Sequence, residues 1–171
     1  MTHLIVSCSL NSASKSDILA EHLHNAIANS SLIRLRDLDL PLCDASSCYE
    51  NKTVQRCQEL VTQAQSIVVC SPIYNYDVNA AAKNFNELTG QGWREKVVSL
   101  AVAAGGNSSY MAPLSFANSL MIDFRCIINP RFVYATGAAF DEHNSISDDG
   151  IKERLAALAS KHVELSDKLN D

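Results

Sequence analysis

The sequence predicts an α/β fold: a five-stranded parallel sheet of order 2-1-3-4-5 with helices on both faces. Three observations carry this. Short apolar runs alternate with helical patterns five times along the chain. Two of those runs, 66–71 and 96–104, are apolar at nearly every position, as strands covered on both faces are. The 171 residues hold no internal repeat and no linker, which points to one domain over 1–171. Right-handed crossovers leave few strand orders, and 2-1-3-4-5 places ligands at the carboxyl ends of strands one, three and four.

HLIVSCS (3–9) reads as the first strand. The segment 15–30 follows, with Ile18, Leu19, His22, Leu23, Ala26 and Ile27 on one helical face. SLIRLRDL (31–38) is the second strand, and the next loop is marked by Pro41 and small polar residues. TVQRCQELVTQAQ is the second helix, with Thr53 as its N-cap. SIVVCS (66–71) is the third strand. NAAAKNFNELTG is the third helix, closed by Gly90. KVVSLAVAA (96–104) is the fourth strand, and a Gly-rich loop, GGNSSY, precedes a fourth helix over 111–124. RCIINPRFVYAT is the fifth strand, with an interruption expected at Pro130. A polar loop then leads to an amphipathic closing helix striped by Leu155, Leu158 and Ala159.

Hydrophobic residues make up 47% and charged residues 19% of the chain, an ordinary globular balance. No apolar run approaches the roughly 18 residues of a membrane span. The net charge of −5, with no basic cluster, argues against nucleic acid or an anionic membrane as partner. The first residues lack a basic n-region and read as a strand, so a cytoplasmic protein with reduced thiols is expected. Of the six cysteines, Cys8, Cys70 and Cys126 fall in apolar runs and read as core. Cys43 and Cys48, spaced C-x4-C without a further ligand pair, give little support to zinc.

Three strand ends carry the candidate chemistry. After strand one, SCSLNSASKS sets Ser9, Asn11, Ser14, Lys15 and Ser16 ahead of a helix. A helix N-terminus offers free N–H groups and partial positive charge, and hydroxyls with one lysine complete a phosphate site. The same serines also suit simple capping. Neither GxxxxGK[ST] nor GxGxxG is present, so a single terminal phosphate fits better than a triphosphate or dinucleotide. After strand three, Pro72, Ile73, Tyr74, Asn75 and Tyr76 supply the apolar walls and edge polar groups that a flat heteroaromatic ring needs. They equally suit a loop whose tyrosines cover the sheet end. After strand four, Gly105, Gly106 and Asn107 let backbone approach a ligand closely.

Taken together, these loops resemble those of the NAD(P)H-dependent FMN reductase family, whose fold is a flavodoxin-like three-layer sandwich. The family reads roughly G-S-L-R-x-x-S-x-N after strand one, and Ser9, Leu10 and Ser14 match. Cys8 stands for the glycine, Asn11 for the arginine and Ser16 for the asparagine. After strand three the family reads P-E-Y-N and later K-N. Pro72, Tyr74, Asn75, Lys83 and Asn84 match, while Ile73 replaces the glutamate and Tyr76 a small residue. LDLPLCD (38–44) resembles the loop after strand two, and the similarity runs over about residues 3–135.

The resemblance implies bound FMN, with NADPH or NADH as electron donor. By it, Ser9, Asn11, Ser14, Lys15 and Ser16 hold the phosphate. Pro72, Ile73, Tyr74, Asn75 and Tyr76 line the isoalloxazine, and Gly105, Gly106 and Asn107 face its pyrimidine edge. Hydride would pass to the flavin and then, in a ping-pong scheme, two electrons to a small quinone-, azo- or flavin-like acceptor. A homodimer or homotetramer is implied too. The chemistry would belong to the cofactor, so no dedicated acid, base or nucleophile is expected. None of His3, His22, His24, His143 and His162 lies in the three loops. Lys83 is expected to pair with Glu87 at i+4. A flavodoxin-type electron carrier and a fold relative without flavin are the alternatives.

Overall fold

A computed structural model describes residues 2–170, Asn170 by its backbone alone. The strands are β1 (His3–Ser7), β2 (Ser30–Arg34), β3 (Ser66–Tyr74), β4 (Asp77–Val78), β5 (Val97–Ala104), β6 (Ile127–Ile128) and β7 (Val133–Thr136). The helices are α1 (Lys15–Ala26), α2 (Lys52–Gln63), α3 (Ala80–Thr89), α4 (Pro113–Phe124) and α5 (Asp149–Asn170). The parallel order is β2-β1-β3-β5, with β6 and β7 both on the outer side of β5. Ile127 pairs with Val97 near the amino end of β5, and Val133 pairs with Ala101 further along. The fifth strand is thus one strand broken around Pro130, and the expected 2-1-3-4-5 order holds.

Alternation along the strands feeds two cores. Leu4 and Val6 of β1 face α3 and α4, where Phe85, Phe116 and Leu120 are buried against them. Ile5 faces the other way, into a core with Leu19 and Leu23 of α1 and Leu155 and Leu158 of α5. A one-residue slip of β1 would exchange these sets, so the period-two pattern fixes register. Each such side chain contributes about 1.5–3 kcal/mol by leaving water. Cys8, Cys70 and Cys126 are buried, as the sequence suggests, and Cys48 and Cys57 join them. Among the described residues no helix is long and apolar enough to cross a membrane.

Four local details differ from the sequence reading. Asn51, not Thr53, caps α2: its Oδ1 accepts from the amides of Thr53 (2.8 Å) and Val54 (3.3 Å). β2 stops at Arg34, and residues Leu35–Asp37 form a 3-10 turn. The fourth helix starts at Pro113, whose fixed φ and missing N–H suit the first turn. The third strand does not stop at Ser71. It runs on to Tyr74 and folds back as a hairpin with β4. Asn75 and Tyr76 both take positive φ (51° and 64°), the mark of a type I′ turn. The sequence hides this turn because tyrosine rarely adopts that conformation.

At the amino end of the sheet lies a buried polar chain. Asn129 Nδ2 donates to Ser99 Oγ (3.0 Å), which is 2.8 Å from His162 Nδ1. His162 Nε2 is 2.7 Å from Ser66 Oγ, which is 2.7 Å from His3 Nδ1. One donor order satisfies every member when His162 is neutral, with Ser99 donating to Nδ1 and Nε2–H donating to Ser66. Protonation would remove the acceptor that Ser99 uses. Burial pushes the His162 pKa down from 6.5 to about 3, and His3 nearby adds to the shift.

The unfolded chain therefore takes up a proton at His162 below pH 6.5 that the folded chain refuses. That stability is present at neutral pH and is lost as pH falls toward 3, at about 1.4 kcal/mol per pH unit. Urea unfolding at pH 7 and pH 5 is expected to show about 2 kcal/mol more acid loss for the native chain than for His162→Gln. Equal losses in the two proteins would remove His162 as the cause.

Candidate functional site

Strand register sets the site. Ser7, the last residue of β1, pairs with Cys70, and Pro72 of β3 pairs with Ala103 of β5. The chain therefore leaves β1, β3 and β5 at neighbouring points of one sheet end, and all three loops suggested by the sequence begin there.

One buried side chain ties two of these loops together. Asn79 Nδ2 donates to the carbonyl of Cys8 (2.7 Å), at the start of the first loop. Its backbone N–H donates to Ser71 Oγ (3.3 Å). Its Oδ1 accepts from Ala82 N–H (3.2 Å) and so caps α3. Ser71 Oγ lies 3.1 Å from the same Oδ1. Asn79 thus closes the hairpin, starts the helix and anchors the serine loop at once. The sequence reading placed it only as the first residue of a helix.

Within the first loop the hydroxyls are largely turned to one another. Ser9 Oγ accepts from Asn11 N–H (3.2 Å), and Asn11 Oδ1 accepts from Ala13 N–H (3.0 Å). Asn11 therefore shapes an Asx turn. Ser14 Oγ and Ser16 Oγ are 2.9 Å apart, both buried. Ser7 Oγ, at the root of the loop, is buried without a partner among the described residues. Lys15 leaves this group: its ammonium lies 5.7 Å from the Phe140 ring centroid, near Gly137 beyond β7. A different cation arrives from the end of β2. Arg36 Nη1 donates to the carbonyls of Asn11 (3.4 Å) and Ser12 (3.5 Å) and sits 2.9 Å from Asp17 Oδ2. Arg34 Nε holds the other oxygen of Asp17 at 2.9 Å. Arg34 also pairs with Glu21, and Arg36 Nε lies 3.6 Å from Asp37 Oδ1, so three carboxylates surround the two guanidiniums. Sequence reading missed Arg36 because the pairing that brings it here spans more than twenty residues.

The second loop presents exposed aromatic rings on a rigid hairpin. Pro72 and Ile73 are buried at its base, while Tyr74 (54%) and Tyr76 (65%) are exposed and flank Asn75 at the turn. Asp77 Oδ1 accepts from Ser115 Oγ (2.6 Å), which fastens the hairpin to α4. Asn84 fastens the neighbouring loop after β2. Its Oδ1 accepts from Cys43 N–H (2.8 Å), and its Nδ2 donates to the carbonyl of Pro41 (2.9 Å). Lys83 pairs with Glu87 at 2.8 Å on the exposed face, as the spacing suggests.

The third loop is open. A Cβ placed on Gly105 or Gly106 would meet nothing within 4 Å, and Asn107 is exposed beside them. Tyr134 of β7 supports this loop from below. Its hydroxyl donates to the carbonyl of Gly106 and lies 3.0 Å from Ser109 Oγ. Cys8 and Cys70 lie under the site, fully buried. Burial pushes both thiols up, so neither is a thiolate nucleophile at neutral pH.

This arrangement fits a flavin mononucleotide in kind. It offers open glycine backbone, exposed rings on a stiff turn, and a hydroxyl-lined helix N-terminus with a guanidinium beside it. Sheet order and loop placement together define a flavodoxin-like fold. Similarity to known proteins narrows this to a family. The chain matches the family described as NADPH-dependent FMN reductase over residues 1–141, and it belongs to that family. It is 31% identical over 137 residues to an NAD(P)H-dependent FAD/FMN reductase of Geobacillus thermodenitrificans (strain NG80-2), covering 78% of this chain and 74% of that one. In fold it is similar to FerB, a flavoenzyme NAD(P)H:(acceptor) oxidoreductase from Paracoccus denitrificans. The TM-score is 0.81 at 17% identity, over 98% of this chain and 97% of that one. A flavodoxin from the domain Archaea is similar too, with TM-score 0.64 at 14% identity over 95% and 99%. The protein is an NAD(P)H-dependent FMN oxidoreductase.

Replacing Asn79 by Ala leaves the Cys8 carbonyl buried without its donor and uncaps α3. Urea unfolding is expected to show a loss of about 2–4 kcal/mol. A change under about 0.5 kcal/mol, as for an ordinary surface site, would contradict the role given to Asn79.

Proposed function

We propose that the loops after β1, β3 and β5 hold FMN, and that the protein passes two electrons from NAD(P)H to a flat quinone-, azo- or flavin-like acceptor in ping-pong order. FMN, when bound, supplies the two-electron chemistry by accepting hydride from the nicotinamide and reducing the acceptor in turn. The observation that carries the reading is the convergence of three differently built loops at one sheet end: hydroxyl-rich, aromatic and glycine-open.

The protein's own residues bind and orient. In this reading Ser9, Asn11, Ser14 and Ser16 shape the loop whose amides take the phosphate. Arg36, paired with Asp17, is the cation that reaches this loop, since Lys15 is turned toward Phe140. Pro72 and Ile73 form the buried base of a wall finished by Tyr74, Asn75 and Tyr76. Backbone groups of Gly105, Gly106 and Asn107 meet the ring edge. Tyr76 limits what can stack on the open face. Exposed Leu114, Met121 and Ile122 on α4 support self-association as a homodimer or homotetramer.

Initial rates at several fixed acceptor concentrations test the scheme. Parallel double-reciprocal lines against NAD(P)H are expected for menadione as acceptor. Intersecting lines would contradict the ping-pong order, and no NAD(P)H oxidation at all would favour an electron carrier.

Arg36 is tested by binding alone. Arg36→Ala is expected to weaken FMN about tenfold by fluorescence titration, the effect of losing one charge-assisted contact. Riboflavin, which lacks the phosphate, is expected to bind both proteins alike. An equal loss for riboflavin would mean that the substitution merely disturbs the loop.

A further inference from the structure

The six cysteines divide by burial: five are buried, and only Cys43 is partly exposed. Cys43 lies in the connection between β2 and α2, and Cys48 follows in the same connection. The backbone turns back between them, and Ala45 takes a positive φ of 55°. The Asp44 carboxylate gathers this turn. Its Oδ1 accepts from the amides of Ser46 (2.9 Å) and Cys48 (3.0 Å), and its Oδ2 accepts from Ser47 Oγ (2.6 Å). From outside, Asn84 Oδ1 accepts from the Cys43 amide (2.8 Å) and holds it against α3.

The turn brings both side chains to one place. Cys48 is buried with Val54 and Leu88 in a small core separate from the two main ones, and Cys43 packs against that core together with Leu40. Burial, a contact with Asp44 and a thiol–thiol contact with Cys43 push the Cys48 thiol up. Cys43 Sγ also lies 3.6 Å from Tyr49 Oη. An accessible thiol beside a buried second thiol is the arrangement of an attacking and a resolving cysteine. The neighbouring Cys8 and Cys70 lack it: both are fully buried, and they face opposite cores of the sheet.

We propose that Cys43 and Cys48 form a reversible disulfide by exchange with a low-molecular-weight disulfide. The Cys43 thiol, which solvent reaches, gives its proton to water and attacks one sulfur of the small disulfide. That S–S bond breaks, and the leaving thiolate takes up a proton. Cys48 then gives up its own proton and attacks the Cys43 sulfur of the mixed disulfide, which releases the second small thiol. The two protein thiols lose two electrons, and the small disulfide gains them as two thiols. The bridge staples the connection just ahead of Asn51, the cap of α2. This couple goes beyond the reductase reading and needs neither FMN nor NAD(P)H.

Peptide mapping of the full chain is the test. The native protein is equilibrated with glutathione disulfide, alkylated in denaturant and cut with trypsin. Cleavage after Arg36 and Lys52 gives one peptide, 37–52, that holds Cys43 and Cys48 and no other cysteine. This peptide is expected to lose two hydrogens and take no alkyl group, while Cys8, Cys70 and Cys126 are alkylated. Dithiothreitol is expected to restore two alkylated thiols. Cys48→Ser is expected to stop at a single glutathione on Cys43. Cys43→Ser is expected to leave Cys48 alkylated, because no accessible thiol remains to begin the exchange. Free Cys43 and Cys48 after equilibration overturn the proposal. A glutathione adduct or an intermolecular bridge at Cys43, with Cys48 still alkylated, overturns it too, since Cys43 would then act as an isolated thiol.

Discussion

Asn79 is the residue on which the geometry of the candidate site depends. A parallel sheet aligns its strand ends but says nothing about how the chain behaves after leaving them. Here one buried amide joins the exits of β1 and β3 and starts α3. Each of its groups has a partner inside the protein, which a buried amide requires. The hairpin tip can then carry Tyr76 at a φ of 64°, a conformation that costs free energy, because its base is clamped by Asn79 and its flank by Ser115. A stiff platform for exposed rings follows from a polar knot underneath it.

The two ends of the sheet are polar in different ways. At the amino end, His3, Ser66, His162, Ser99 and Asn129 bond to one another in a linear chain, away from the three loops. At the carboxyl end the polar groups are only partly spent on one another. Ser7 Oγ has no partner among the described residues, and the Gly105–Gly106 backbone is open. A fully satisfied network adds specificity to the fold, whereas open donors next to a helix N-terminus are available to a ligand. His3 and His162 therefore read as structural.

Much of this was legible in the sequence. The near-continuous apolar runs of β3 and β5 announced a covered parallel sheet, and Pro130 announced the broken fifth strand. The three loops also fell at adjoining strand ends as expected. What escaped were effects that local patterns do not carry. The hairpin at Asn75–Tyr76 uses a residue pair outside the usual turn preferences, so only tertiary clamping explains it. Arg36 and Tyr134 act on loops far from them in sequence, through strand pairing. Lys15 was the obvious local cation, yet the start of α1 directs it toward Phe140. The shift of the α2 cap from Thr53 to Asn51 shows the ordinary imprecision of helix boundaries.

The central claim is that the three loops form a flavin site. An absorption spectrum of the purified protein, taken after FMN addition and desalting and then under anaerobic NADPH, tests it most directly. The account predicts a retained oxidised-flavin spectrum that NADPH bleaches. A protein that retains no flavin after loading would contradict it and leave only the fold.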